Sequence, residues 1–236
     1  LSLSVGGRYT WDQRNGYILR QNYLNGGSPV FGSAGIKFLG AQTDFRGKST
    51  FKKFTPKASI SFKPAPGHQV YASFSQGFKG GGFDPRGVGI NALDLNNDGV
   101  KSQDEIAKFL SFRPEKVDSY EVGYKADLFD RRVYLALAGF YMDYTDVQIP
   151  GSVACNAGGV ATFCGVVSNA GKARMQGLEA ETRAKLIQSD MGTLTLTGSV
   201  GYIDAKYTKY ITNIGNVPTD VAAFRKVQNT PAWSGA

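Results

Sequence analysis

An all-β fold, an antiparallel transmembrane β-barrel segment of about eight strands, is predicted by three observations on this 236-residue sequence. Segments of about ten residues alternate apolar and polar side chains, as strands do when one face meets hydrocarbon and the other water. Short turn-rich links and long polar stretches follow one another in strict order. No run of eighteen apolar residues occurs, which excludes helical spans, while 42% hydrophobic residues and a mean hydropathy of -0.24 fit a thin greasy band rather than a greasy core.

The first strand is read from Leu1, Leu3, Val5, Gly7, Tyr9 and Trp11 alternating with Ser2, Ser4, Gly6, Arg8, Thr10 and Asp12. A long polar stretch, Asp12 to Thr50, precedes the clearest segment, Phe54, Pro56, Ala58, Ile60 and Phe62 interleaved with Thr55, Lys57, Ser59, Ser61 and Lys63. The tight link Pro64-Ala65-Pro66-Gly67-His68 leads into a third strand from Val70, and a second long stretch runs from Lys79 to Lys116. Tyr120, Val122, Tyr124, Ala126 and Leu128 form the apolar face of the fourth strand, closed by Phe129-Asp130-Arg131-Arg132. The fifth strand, Val133 to Tyr144, is apolar on both faces through Ala136, Ala138, Phe140 and Met142.

After a long stretch from Gly151 to Ser168, Leu178, Ala180, Thr182 and Ala184 alternate with Glu179, Glu181, Arg183 and Lys185. A tight link around Ser189-Asp190-Met191-Gly192 leads to Leu194, Leu196, Gly198, Val200 and Tyr202, and a last long stretch from Thr208 to Pro231 precedes a strand entered at Asn229-Thr230-Pro231-Ala232-Trp233. Short turns at one end and long loops at the other are the arrangement of bacterial outer-membrane barrels, with the turns in the periplasm and the loops outside. Tyr and Trp near the strand ends suit the lipid boundary, where a ring is half buried and its polar tip wet. Both chain ends read as lying within strands, so the expectation is a piece of a larger barrel.

The formal net charge is +8, with 12 Lys or Arg against 3 Asp in residues 1–90. Arg14, Arg20, Lys37, Arg46 and Lys48 are candidates to hold lipopolysaccharide phosphates or attract an anionic ligand, set against a merely solvated loop. Nucleic acid is a poor partner, because the basic residues are neither gathered on a helix nor interleaved with stacking aromatics. Cys155 and Cys164 in the third long stretch, around Gly158 and Gly159, predict a loop disulfide worth about 2.5 to 3 kcal/mol of ring closure in an oxidising compartment. Free thiols or metal ligands are the competing reading, but no His lies nearby to complete a site.

Residues 94–105 match a twelve-residue calcium loop. Side-chain oxygens of Asp94, Asn96 and Asp98, the Val100 carbonyl, Ser102 and a bidentate Glu105 are the expected ligands, with Gly99 at the sharp bend. Ile106, Phe109 and Leu110 predict a helix over 103–112. Lys101 at the eighth position and the non-helical Gly87-Val88-Gly89-Ile90 depart from a paired hand, and an acidic surface turn is the alternative. The sole histidine, His68, lies in a periplasmic turn with no nucleophile beside it, which argues against an enzyme. A passive-diffusion, porin-like barrel and a soluble all-β binding domain are the other rivals.

Several stretches together resemble the TonB-dependent outer-membrane receptors. They are Val70-Tyr71-Ala72-Ser73-Phe74-Ser75-Gln76-Gly77-Phe78-Lys79-Gly80-Gly81-Gly82-Phe83, then Phe112-Arg113-Pro114-Glu115-Lys116-Val117-Asp118-Ser119-Tyr120-Glu121-Val122-Gly123-Tyr124-Lys125, the most specific of the set, then Phe140 to Gln148, Asn169-Ala170-Gly171-Lys172-Ala173 leading to Gly177-Leu178-Glu179, and Asn229-Thr230-Pro231. Order and spacing match the C-terminal part of that family's barrel domain over most of the chain. The resemblance implies a location in the bacterial outer membrane and a barrel of about 22 strands around an N-terminal plug. It implies uptake of a scarce solute, most often a ferric siderophore, with energy delivered by the TonB complex through a plug absent from these residues. Tyr17, Arg20, Tyr23 and Arg86 are then candidate loop contacts for an anionic chelate, and Glu121, Lys125, Glu179, Glu181 and Arg183 line the lumen or face the plug.

Overall fold

In hydrocarbon a strand must pair its backbone on both sides, so the register of the ladder decides which side chains meet lipid. The computed structural model describes residues 1–24, 35–157, 160–189, 192–214 and 217–236. In chain order these form β1 (Ser2–Leu24), β2 (Ile36–Phe62), β3 (His68–Lys79), β4 (Gly82–Phe83), a 3₁₀ turn at Gly89–Asn91, α1 (Gln103–Leu110), β5 (Ser111–Phe112), β6 (Glu115–Leu128), β7 (Val133–Ala157), β8 (Val160–Ser189), β9 (Gly192–Ile214), β10 (Val217–Asp220), a second 3₁₀ turn at Ala222–Phe224 and β11 (Trp233–Gly235). One antiparallel sheet runs β1-β2-β3-β6-β7-β8-β9, with β10 on the upper part of β9 and β11 on its lower part, while β4 and β5 pair with each other. The seven long strands and β11 are the eight strands expected.

Cross-strand partners place Leu3, Ile60, Ala72, Val122, Gly139, Leu178, Tyr202 and Trp233 in one continuous row. This row lies on the open face: Ile60 is 45% exposed, Val122 61% and, lower on the same face, Leu196 58%. No second sheet covers them among the described residues, as a soluble sandwich would require. The adjacent row, Ser59, Ser73, Glu121, Phe140 and Gly177, points to the other side. Rings along the apolar face pack across strands in tilted pairs, Phe74 with Tyr120 at 5.1 Å and Tyr202 with Trp233 at 4.9 Å between centroids.

Turns at the short end follow the predicted chemistry. Gly67 takes a positive φ of 77° and its carbonyl accepts from the Asp127 amide at 2.7 Å, while Phe129, Asp130 and Arg131 all have positive φ before Arg132 closes the turn onto the Phe129 carbonyl at 3.0 Å. Asp190 and Met191 of the third link lie outside the described residues, but Ser189 and Gly192 pair as its flanks.

Three of the four expected long loops are corrected: most of 12–50, 151–168 and the start of 208–231 continue as paired strands. Above the hydrocarbon both faces meet water, so the polarity alternation that identified the membrane strands vanishes although the ladder goes on. The fourth, 79–116, is an elaborated loop, and α1 stops at Leu110, two residues short of the expected end, because Ser111 and Phe112 turn extended to pair with β4.

Placing a charge on the lipid face tests this reading. Val122→Arg is expected to destabilise the barrel by about 2 to 4 kcal/mol, and Ser73→Arg, one strand away on the opposite face beside Glu121, by less than about 1 kcal/mol, in denaturant unfolding of the membrane-inserted protein.

Candidate functional site

Above the membrane, the loop between β3 and β6 folds inward and ties two tall ribbons together. Its apolar centre is a small cluster in which Ala92, Ile106 and Leu110 bury against Phe45 of β2, with Ile18, Phe83 and Phe109 around them. Phe45 and Thr43 point to the same side of β2 as Lys57, so the loop covers the inner face. Thr43 fixes the contact: its hydroxyl donates to the Gly87 carbonyl at 3.2 Å and accepts from the Gly89 amide at 2.7 Å. Gln103, first in α1, adds a pair, accepting from the Arg46 amide and donating to the Asp44 carbonyl, both at 2.8 Å.

On the other flank the loop is held to the β7–β8 ribbon by amide side chains. Asn91 exchanges two 2.9 Å bonds with the backbone of Asn156. The buried Gln148 amide donates to the carbonyls of Gly80 at 2.9 Å and Arg113 at 3.0 Å, and its own backbone N–H reaches Glu115 at 2.8 Å. Asn169 clasps Arg113 in both directions, at 2.7 and 2.8 Å. These anchors escaped sequence reasoning, since one amide side chain in a polar stretch carries no periodic signal.

Between the flanks, arginines of the inner face of β1 meet the loop. Arg20 and Arg86, both candidates from the sequence, meet here, Arg20 donating to the Arg86 carbonyl at 2.7 Å. Arg86 grips Asp84 through two bonds of 3.0 and 2.8 Å and leaves half its side chain exposed, whereas Asp84 is buried. Burial pushes the Asp84 carboxyl up, but the Arg86 hydrogen bonds override it and hold the group below its ordinary range. Arg14 lines the same face, paired to Asp12 at 3.0 Å. Tyr17 is not part of this wall: it stands on the opposite face of β1 under Arg46, 4.6 Å from ring centroid to guanidinium. Tyr23 pairs with Lys37 near the ribbon end, beyond a register shift, and is not brought to these arginines.

Lower on the inner face, the Tyr71 ring lies over Gly123, where a Cβ would strike it, and its hydroxyl donates to Glu121 at 2.5 Å. Lys125 sits 5.4 Å from that ring and Arg183 5.7 Å from the Tyr134 ring. Glu121, Lys125, Glu179 and Glu181 line one hollow together with Tyr134, and Arg183, on the same face of β8, lies over the Tyr134 ring, so the five expected lumen charges share one wall.

The 94–105 loop has the bends that its sequence demands, with Asn97 at φ 58° and Gly99 at φ 80°. Asp94 accepts from the Gly99 amide at 2.9 Å, Asp98 from the Val100 amide at 2.8 Å and Asn96 from the Asp98 amide at 3.3 Å. Glu105 works as a helix cap here: it accepts from Ser102 N–H and Oγ at 2.9 and 2.8 Å and from the Leu95 amide at 2.6 Å. Those donors, the Ser102 backbone first, hold its pKa down at about 2, so it stays ionised at any pH near neutrality. Lys101 approaches Asp94 at 3.8 Å, and among the described residues no three His, Cys, Asp or Glu side chains converge as ligands.

Cys155 and Cys164 form a disulfide with Cα atoms 5.8 Å apart. It runs diagonally across β7 and β8, where Cys164 opposes Val153 and Cys155 opposes Thr162; Gly158 and Gly159 lie outside the described residues. β9 joins β8 only from Gly171 downward, so residues 149–168 are a two-stranded ribbon, which is marginal in water without help. Replacing both cysteines by serine is expected to weaken this ribbon by about 2.5 to 3 kcal/mol, read as faster amide exchange over 149–168 with no change in β6 or lower β7.

The model for the TonB dependent receptor-like, beta-barrel family matches residues 1–236. The Metal-pseudopaline receptor CntO of Pseudomonas aeruginosa strain UCBPP-PA14 is 27% identical over 194 residues, which is 82% of this chain and 21% of that protein. The chain therefore spans about a fifth of the length of the curated relatives it matches. Two solved structures share the fold over 99% of the chain and 27% of their own length at 18% identity: the ferric yersiniabactin uptake receptor FyuA from Yersinia pestis, with a TM-score of 0.59, and the siderophore receptor PiuA from Acinetobacter baumannii, with 0.56.

Proposed function

Because the chain belongs to the TonB-dependent receptor β-barrel family of the bacterial outer membrane, we propose that it forms part of an active-uptake receptor for an anionic metal chelate, a ferric siderophore foremost. The observation that carries this reading is the set of arginines gathered where the loop meets the inner face of β1. Arg14 and Arg20 lie on the inner face of β1, Arg20 meets Arg86 of the loop, and each keeps N–H groups beyond those bound to its partner. Guanidinium forks suit the carboxylate, catecholate or hydroxamate oxygens that surround a chelated metal. The relatives support the same class, one named for a metal-pseudopaline complex and two solved structures for siderophores. Membership of this family favours such a receptor over a passive pore.

In this reading the charged inner wall around Glu121, Glu179 and Glu181, with Ala136, Ala138 and Phe140 beside it, packs on a plug that receives energy from the TonB complex. A strain lacking the gene is expected to grow more slowly than its parent under iron limitation and equally in iron-replete medium. Arg86→Gln is expected to weaken chelate binding by roughly tenfold. Equal growth of the two strains under iron limitation would remove the siderophore assignment.

The 94–105 loop is proposed as a calcium element of the extracellular surface, supported by its ligand sequence and its two left-handed bends. Glu105 would have to exchange its cap donors for the cation, and an affinity of about 0.1 to 1 mM suffices outside the cell. Calcorimetric titration with calcium is expected to give heat with the parent protein and none with Glu105→Gln; identical heats would retire the idea.

A further inference from the structure

We propose that Asp84 is the positioning residue for Arg86, and that together with Gly165 it sets that arginine to receive a ligand with two neighbouring anionic oxygens, a carboxylate or a catecholate, in preference to a neutral hydroxamate. This deepens the uptake reading above and rests on it. A carboxylate that is only 2% exposed has to spend its lone pairs on fixed donors, and Asp84 does so. Its Oδ1 accepts from the backbone N–H and the Nε–H of Arg86, both at 3.0 Å, and its Oδ2 from Nη2 at 2.8 Å. The Val167 amide of β8 donates to the same carboxylate. Asp84 is itself pinned, since its own N–H donates at 2.8 Å to the carbonyl of Leu110, the last residue of α1.

Gly165 of β8 supplies the other half of the device. A Cβ there would stand 2.5 Å from the Cβ of Arg86 and 3.0 Å from its Nε, so the arginine stem lies directly on bare backbone. The Arg86 carbonyl accepts from Arg20 at 2.7 Å, which brings a second guanidinium up to the same residue from β1. Head, stem and main chain of Arg86 are thus each fixed by a different partner.

The way the head is held decides what it can still bind. Asp84 occupies the Nε–Nη2 edge of the guanidinium. One N–H of Nη1 and the second N–H of Nη2 remain parallel along the end of the fork, and half of the side chain is exposed. Two parallel donors match the paired oxygens of a carboxylate or a catecholate. A neutral hydroxamate complex offers them no negative charge. Asp84 also cancels the charge of Arg86, so electrostatics alone and positioning differ in sign. Removing the acid would strengthen anion binding in the first case and weaken it in the second.

The test uses the full-length receptor in detergent micelles, titrated with ferric citrate, an anionic ferric tris-catecholate and a neutral ferric tris-hydroxamate. The parent is expected to bind one of the two anionic chelates roughly tenfold or more tighter than the neutral one. Asp84→Asn and, separately, Gly165→Ala are each expected to weaken that binding by roughly fivefold, although the first adds a net positive charge. In an Arg86→Gln background, Asp84→Asn is expected to cause no further loss, because the side chain it positions is gone. A further loss there would assign Asp84 to holding the loop down and overturn the proposal. Heat-resistant electrophoretic migration verifies that each barrel is folded, and Gly165→Ala, which leaves the acid in place, decides the matter if Asp84→Asn releases the loop. Parent-like binding by either folded variant, with Arg86→Gln weakened, would overturn the positioning role and leave the uptake reading standing. Parent-like binding by Arg86→Gln, or a parent without preference for an anionic chelate, would remove both.

Discussion

Backbone pairing inside hydrocarbon is the constraint from which the rest of this molecule follows. An amide or carbonyl without a partner costs several kcal/mol there, so the ladder runs unbroken from Ser2 on β1 to the lower half of β9. An unbroken ladder fixes register, and register fixes parity. Parity sends Val122 to lipid and its neighbour Glu121 to the lumen with no further instruction from packing. Among the described residues the buried cluster around Phe45 is small because the barrel wall needs no core of its own.

Outside the membrane the governing physics changes. Water satisfies any backbone group, so a ribbon there has to be justified by other contacts. Three devices do this: the apolar cluster under the β3–β6 loop, the amide clasps of Asn91, Gln148 and Asn169, and the diagonal disulfide. They differ in what they resist. The apolar cluster holds the loop down on β2, the amides set its distance from β7, and the disulfide prevents a register slip that would turn every side chain of the ribbon over.

This division explains what the sequence discloses. Alternation such as Phe54 to Lys63 is legible because two solvents write it, and the turns are legible because Gly67 and Asp130 occupy positions that few residues tolerate. The ribbons above are hidden because Arg46-Gly47-Lys48-Ser49-Thr50 meets water on both sides and spells no period. For the same reason Arg14, Arg20, Arg46 and Lys48 look alike as letters, although the ladder divides them between two faces. Cys155 and Cys164 are readable as a pair from their spacing. By contrast, the role of Gln148 depends on carbonyls 35 and 68 residues away and is invisible before folding.

β7 has 25 residues and β8 has 30, whereas crossing the hydrocarbon takes about ten. More than half of each strand thus stands clear of the bilayer as a stiff palisade. Its shape is held by main-chain ladders and one covalent rivet, so outward side chains there can be exchanged without altering it.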